Sequence, residues 1–479
     1  MNAYQTLQLA VSQHQAGNLA EAETLYRQVL AAEPNNTDAI HLLGVLAQQN
    51  GRLADAEKLI GQAIRLAPAT PEFHVNMGRV LADQNRLDLA VSAFRHALKL
   101  RPRDAETHNN LGAVLQKQER IAEATAEFQT VLKIAPRHAA AMIALAGIVA
   151  DAARWDEAIA LCRAALAIEP DNADAHLNLA VLLLRSGDFA HGWSEYEWRW
   201  KVAGLEVGPL TSAQPPWNGG ELAGKRIVLH TEQGLGDTIQ MARFAPLVRR
   251  RGGYTILYCQ PELTRLLKTV PEVDEVIAWG KLPPPCDEHC PMISLPRAFK
   301  TDLTNIPANV PYVSADPERS RKWRDRIGED KRLKVGLAWA GSANHARDLQ
   351  RSLPLSRFAP LAARTDVRFF SLQKGNAAEQ ARSAPFELTD WTDELSDFAD
   401  TAALVENLDL VITVDSAVAH LCGALGRKVW VLIPWIPDWR WLLDRADSPW
   451  YPTLRLFRQK KRDDWDAPLA EMAEAMRIL

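Results

Sequence analysis

The sequence predicts an α-solenoid of stacked helix pairs followed by two α/β units built on parallel sheets. Three observations predict it. Pro34, Pro68, Pro102, Pro136 and Pro170 recur every 34 residues. A column of small residues keeps the same period: Ala22, Ala56, Ala90, Ala124, Ala158, then Gly192. Beyond residue 225, short apolar runs alternate with helical patterns, as in a parallel sheet covered by helices. A fixed period of this size marks a stack of like supersecondary units.

Each repeat holds two amphipathic helices. In residues 105–138, AETHNNLGAVLQKQ is the first and IAEATAEFQTVLKI the second. Small residues at the eighth place (Gly44, Gly78, Gly112, Ala146, Ala180) let the first helix approach the second. The proline stops one unit and opens the next. Turn residues Gly17, Gly51, Asn85 and Gly187 separate the two helices of a pair. These features match the tetratricopeptide repeat pattern, with five full units and a degenerate sixth at about 173–200. The solenoid is expected over residues 1–200. Asn76, Asn110 and Asn178 share the sixth place of their units. That place is on the first helix, which lines the concave groove of such a solenoid. A stacked amide offers a donor and an acceptor to a peptide backbone. The column otherwise reads as a solvated helix face, and Leu42 and Ala144 interrupt it.

At 479 residues the chain exceeds one hydrophobic core, so several domains are expected. Of fifteen tryptophans only Trp155 precedes residue 190. With the end of the proline column, that shift predicts a Gly/Pro-rich linker over 201–224. The net charge of −4 gives no support to binding of nucleic acid or anionic membrane. There is no basic, apolar leader and no apolar run of 18 residues, so no signal peptide or membrane span is expected. Five scattered cysteines fit a reducing compartment, and the cytoplasm is the expected location.

The α/β half divides into a first lobe, 225–330, and a second, 331–479. Strands are expected at 225–230, 254–259 and 275–279, then at 334–339, 368–373, 408–414 and 428–433. Two such sheets in tandem leave a cleft, and ligands bind at the carboxyl ends of the strands. After the first strand comes GLGD, with Gly234, Gly236 and Asp237. It lacks the third glycine of a dinucleotide fingerprint. Asp237 opens a helix, as an N-cap or as a general base facing the cleft. After the strongest strand comes DSAVAH, with Asp415, Ser416 and Ala417 at a helix start suited to a diphosphate and His420 one turn on. Arg351 offers a guanidinium fork to phosphate, and SLQKG ends a further strand with Gln373 and Lys374. CDEHC (286–290) has no second ligand pair nearby and reads as a surface loop, not a zinc site. RSRKWRDRIGEDKR (319–332) reads as a solvated helix joining the sheets. Trp430, Trp435, Trp439, Trp441 and Trp450 read as core and cleft wall.

GLGD, the R-S-x-P stretch at 351–354, LQKG and D-S-x-x-x-H together resemble the heptosyltransferase-like GT-B glycosyltransferases. DWRWLLDRADSPWYP (438–452) resembles the C-terminal region of the tetratricopeptide-linked bacterial members. The resemblance implies a GT-B fold of two Rossmann-like lobes and metal-independent transfer of a sugar from a nucleotide donor. It implies Asp237 as base and Arg351 on the donor diphosphate. Asp415, Ser416, Ala417 and His420 would hold diphosphate and nucleoside, with Ala417 standing where the family has glycine. The function expected is glycosyl transfer to a hydroxyl, on a protein or peptide held by the repeats through Asn76, Asn110 and Asn178. No cofactor is expected. The alternatives are a glycan or lipid-linked acceptor, with repeats used for assembly, and a non-catalytic binding scaffold.

Overall fold

A computed structural model describes residues 1–204, 214–345 and 347–479. Internal packing divides the chain into two units, Met1–Asn178 and Leu179–Leu479. Of the stretch expected as a linker, residues 205–213 lie outside the described residues.

The first unit is a run of antiparallel helix pairs. They are Ala3–Gln15 with Leu19–Ala32, Thr37–Gln49 with Leu53–Leu66, Pro71–Asp83 with Leu87–Leu100, Ala105–Lys117 with Ile121–Ile134, and Ala139–Asp151 with Trp155–Leu166. Ala173–Ser186 follows. The two small-residue columns explain the close pairing. Ala22, Ala56, Ala90, Ala124 and Ala158 are fully buried. A Cβ on Gly78 would lie 2.6 Å from the Phe94 ring, and one on Gly112 2.8 Å from Phe128. The bare backbone of one helix therefore lies against an aromatic ring of the next. Between the two helices of a pair the chain enters the left-handed region. Gly17, Gly51 and Asn85 do so as expected, and Glu119 (φ 60°) and Ala153 (φ 59°) do so in units where no glycine is supplied.

A second periodic device was hidden in the sequence. His74, His108 and His176 each turn Nε2 back to the carbonyl of the column proline six residues earlier, at 2.8, 3.0 and 2.8 Å. The imidazole N–H thus satisfies a carbonyl in the turn that joins one unit to the next.

The second unit carries two sheets, every ladder parallel. Strands β1 (Arg226–His230), β2 (Tyr254–Cys259), β3 (Glu275–Ala278) and β4 (Glu288–Pro291) form the first, in order β3-β2-β1-β4. Strands β5 (Leu333–Ala338), β6 (Val367–Ser371), β7 (Leu388–Thr389), β8 (Leu410–Val414), β9 (Val429–Ile433) and β10 (Leu454–Arg458) form the second, in order β10-β9-β8-β5-β6-β7. Counted from β5, that is the 3-2-1-4-5-6 order of a doubly wound fold, and the first sheet repeats its opening part. β8 and β9 are buried along their whole length, as a strand with both faces covered must be.

Three strands were not anticipated. CDEHC is no surface loop: Glu288–Pro291 pairs with β1 as β4, and Cys290 is buried. Its residues have neither β-branched content nor alternation, so the pattern gave no strand signal. β7 is two residues long, too short for any pattern, and β10 was missed although Leu454, Arg455 and Leu456 alternate. The 319–332 stretch holds the helix Pro317–Ile327, capped by Asp316 and ended at Gly328. It is not wholly solvated, because Trp323 is buried and stacks on Trp391 at 5.5 Å.

Candidate functional site

Each sheet reverses its winding at one place, and a motif loop leaves each. In the first sheet the reversal lies between β1 and β4, and Thr231–Asp237 follows β1. In the second it lies between β5 and β8, and Asp415–Ala417 follows β8 into the helix Ala417–Ala424. Such reversals open the crevice where doubly wound sheets take ligands. The two loops meet. A Cβ on Gly236 would lie 2.7 Å from His420 Cδ2 and 3.4 Å from Ala417 Cα. Glycine at 236 is what allows this approach.

Asp237 is the third residue of the helix Leu235–Met241 and accepts the N–H of the N-cap residue Gly234 at 2.9 Å, so it is the inner partner of the cap and not the N-cap itself. Its other oxygen accepts from Arg440. Its side chain is still 21% exposed.

Sequence reasoning missed Arg440. It is buried, and its guanidinium binds three partners: Asp237, Gln240 at 2.7 Å and Asp438 at 2.7 Å. It also lies over the Trp439 ring at 4.0 Å. The signal was the polar pair Asp438 and Arg440 inside an otherwise apolar, tryptophan-rich stretch. Two carboxylates now share one neighbourhood. Burial, then the Asp438 carboxylate, push Asp415 above the usual range, with Arg351 opposing. Asp438 goes the other way: burial works against its charge, and Arg440 nonetheless holds its carboxyl below the usual range.

The remaining expected residues divide by burial. Arg351 lies close on Gly341, where a Cβ would meet its guanidinium at 2.5 Å, and donates to Asp348 at 3.4 Å. Ser416 Oγ shares a hydrogen bond with Thr413 Oγ1 at 2.9 Å. His420 does not line an open cleft. It is 4% exposed, bonded to the Tyr451 hydroxyl at 3.0 Å and stacked on Trp441 at 5.3 Å. Burial first, then Arg440, push its pKa down to about 3, so the ring is neutral. Gln373 is likewise taken up by the fold. Its oxygen accepts from Trp339 and Ala340 N–H at 2.9 and 2.8 Å, and its amide donates to Ala340 and Lys374 carbonyls. No donor or acceptor of adequate reach is left for a ligand. Lys374 is exposed and gives its ammonium to the Thr392 carbonyl at 2.7 Å. The site therefore brings together Gly234, Gly236, Asp237, Ala417 and His420. It draws Asp415 and Arg351 into one electrostatic neighbourhood with Asp438 and Arg440, and leaves Gln373 and Lys374 tying the end of β6 to the segments after β5 and β7.

The asparagine column is not uniform. Asn76 donates to His41 Nε2 at 2.8 Å, and burial lowers that imidazole's pKa to about 4, so it accepts as a neutral ring. Asn110 is half-buried and Asn178 exposed. One tetratricopeptide repeat model matches residues 13–77 and 149–190, a second matches 105–138, and a TPR repeat model matches 78–119. The N-terminal part is built of tetratricopeptide repeats. Among curated proteins, Protein FlbA of Caulobacter vibrioides is 28% identical over 325 residues, which is 62% of this chain. The chain spans about half the length of that relative, 54%. Among solved structures, three similar chains each cover about a third to two fifths of this one. MamA matches 34% of this chain and 96% of its own at 22% identity and TM-score 0.32. YrrB, described as a TPR protein with an unusual peptide-binding site, matches 36% and 90% at 21% identity and TM-score 0.31. PilF of Pseudomonas aeruginosa matches 42% and 89% at 19% identity and TM-score 0.38. No helix among the described residues is long and apolar enough to cross a membrane.

Proposed function

We propose that the second unit is a GT-B glycosyltransferase that moves a sugar from a nucleotide donor to a hydroxyl, and that the repeats hold a protein or peptide acceptor. The observation that carries this reading is the meeting of two switch-point loops, with Gly236 against Ala417 and His420. One loop supplies a carboxylate and the other a helix N-terminus, from two doubly wound sheets of parallel strands. Transfer needs a group to take the acceptor proton and a fixed positive field for the leaving diphosphate. Asp237 answers the first need. The N–H groups after Ser416, with Arg351, answer the second without a metal. Arg440 acts as the orienting partner that holds Asp237 in one rotamer. The soluble, cytoplasmic location belongs to the same reading.

A second reading, a non-catalytic binding scaffold, is favoured by one observation. His420 and Gln373, both assigned to the donor, are closed inside the fold. Thermal unfolding against a panel of nucleotide sugars separates the two, since a ligand of the folded state raises the melting point. Stabilisation by one sugar nucleotide, followed by release of nucleoside diphosphate with a peptide acceptor, supports transfer. Indifference to the whole panel leaves the scaffold.

A further inference from the structure

The switch point of the first sheet is already occupied, by the chain itself. Arg199 lies in the short helical turn Glu197–Lys201, directly after the helix Phe189–Tyr196. Both segments belong to the same unit as the sheets. The Arg199 side chain is 0% exposed, as is that of Glu232 in the loop after β1. Its Nε and Nη2 donate to the two Glu232 oxygens at 3.0 and 2.9 Å. Nη2 also donates to Ser294 Oγ at 2.8 Å, in the turn after β4. Nη1 donates to the Tyr196 carbonyl at 3.1 Å and to Glu197 at 2.9 Å. The guanidinium's five N–H donors are all accounted for. Glu232 further accepts the Ile293 N–H at 3.2 Å. One cation thus ties the carboxyl end of β1 to that of β4. Next to it, the Gln233 amide donates to the Tyr196 hydroxyl at 3.0 Å. The whole approach to Gly234 is gripped from this side. The helix before it is anchored too: Trp193 donates to the Thr301 carbonyl at 3.1 Å and meets Trp439 edge-on at 5.1 Å.

We propose that Arg199 and Tyr196 are positioning residues of the candidate site: they fill the first sheet's crevice and fix the Thr231–Asp237 loop, so that residues 189–201 are a working part of the α/β unit. The name "site" rests on the glycosyltransferase reading, but the positioning does not. A Lys or Gln at 199 cannot reproduce the bidentate bond to Glu232 together with those to Ser294, Tyr196 and Glu197, because neither side chain carries five donors.

The test uses the full chain and amide hydrogen exchange, comparing wild type with Arg199→Lys, Tyr196→Phe and the control Tyr26→Phe. Exchange across residues 231–238 is expected to rise ~tenfold in Arg199→Lys and less in Tyr196→Phe, with peptides of β2 and β9 unchanged. A merely structural role would raise β2 along with the loop. A uniform rise, or none in either variant, overturns the proposal. Should Arg199→Lys fail to fold, Tyr196→Phe decides alone, since it removes one hydroxyl and nothing else. Binding of nucleotide sugars is scored separately in the same samples. If none binds, the function proposed above falls, while the exchange pattern still stands or fails by itself.

Discussion

The guanidinium of Arg440 is bound to the carboxylate of Asp237, 203 residues earlier in the chain. The contact joins the loop after β1 to the segment after β9, so the two sheets share one ionic centre. A carboxylate so held is oriented but cannot drift, which is what a base at a fixed distance from its acceptor requires.

Asp237→Asn keeps an acceptor for the Gly234 N–H and removes the carboxylate proposed as base. Turnover of a sugar donor is expected to fall roughly 100- to 10,000-fold while stabilisation by the donor persists. Nucleoside diphosphate release under saturating donor measures this. Equal rates in the variant would remove Asp237 from the chemistry.

Gly236→Ala places a methyl 2.7 Å from His420 Cδ2. The ring has nowhere to retreat, since Tyr451 bonds it and Trp441 stacks on it. The expected loss is about 1–3 kcal/mol in urea unfolding, the usual range for overpacking. An unchanged midpoint would show that the two loops are not in contact in solution.

Arg199→Met leaves Glu232 buried without its cation. Breaking such a pair typically costs about 3–5 kcal/mol. The double variant Arg199→Met with Glu232→Gln is expected to recover part of that loss, because the orphaned charge is gone. Denaturant midpoints of the four species form the cycle that checks it.

Glu119 and Ala153 hold left-handed backbone at φ 60° and 59°, where an L side chain is strained. Replacing either by Gly relieves strain of roughly 1 kcal/mol and returns some unfolded-state entropy, so a net gain of a few tenths is expected. Thermal unfolding of the repeat region would detect the sign. A loss would show that the strain is negligible.

Acid should weaken the fold through its closed histidines. Burial lowers His41 to about 4 and His230 and His420 to about 3. The unfolded chain takes these protons below about pH 6.5, and the folded chain refuses them. Stability is therefore whole above that pH and falls beneath it, by roughly 1.4 kcal/mol per pH unit for each such group. Urea midpoints measured from pH 7.5 to 5 should slope accordingly, and less steeply in His41→Phe. An identical slope would remove His41 from the account.

The repeats were legible because their information is one-dimensional: a 34-residue period repeats the same packing problem, and the columns at Gly78 and Ala90 state its solution. The buried strands β2, β8 and β9 were legible from continuous apolar content. β4 was not, since Glu288, His289, Cys290 and Pro291 carry no pattern, and only pairing with β1 makes them a strand. Within the site, the glycine loop and the β8 loop were visible as local punctuation. Arg440 was not, because two of its three partners, Gln240 and Asp237, lie some two hundred positions away. His420 was visible, but its surroundings were not. Spacing put it near the helix start, and only the packing of Tyr451 and Trp441 reveals that the ring is sealed.

The saturated guanidinium of Arg199 also bears on how such a chain can change over generations. Whole units inserted or deleted ahead of residue 179 leave its bonds intact, so the repeat array is free to lengthen or shorten. The closing turn is not: recombination that severed Glu197–Lys201 from the sheets would strand an anion in a dry interior. The heritable module therefore begins inside the final repeat rather than at the seam that composition suggests.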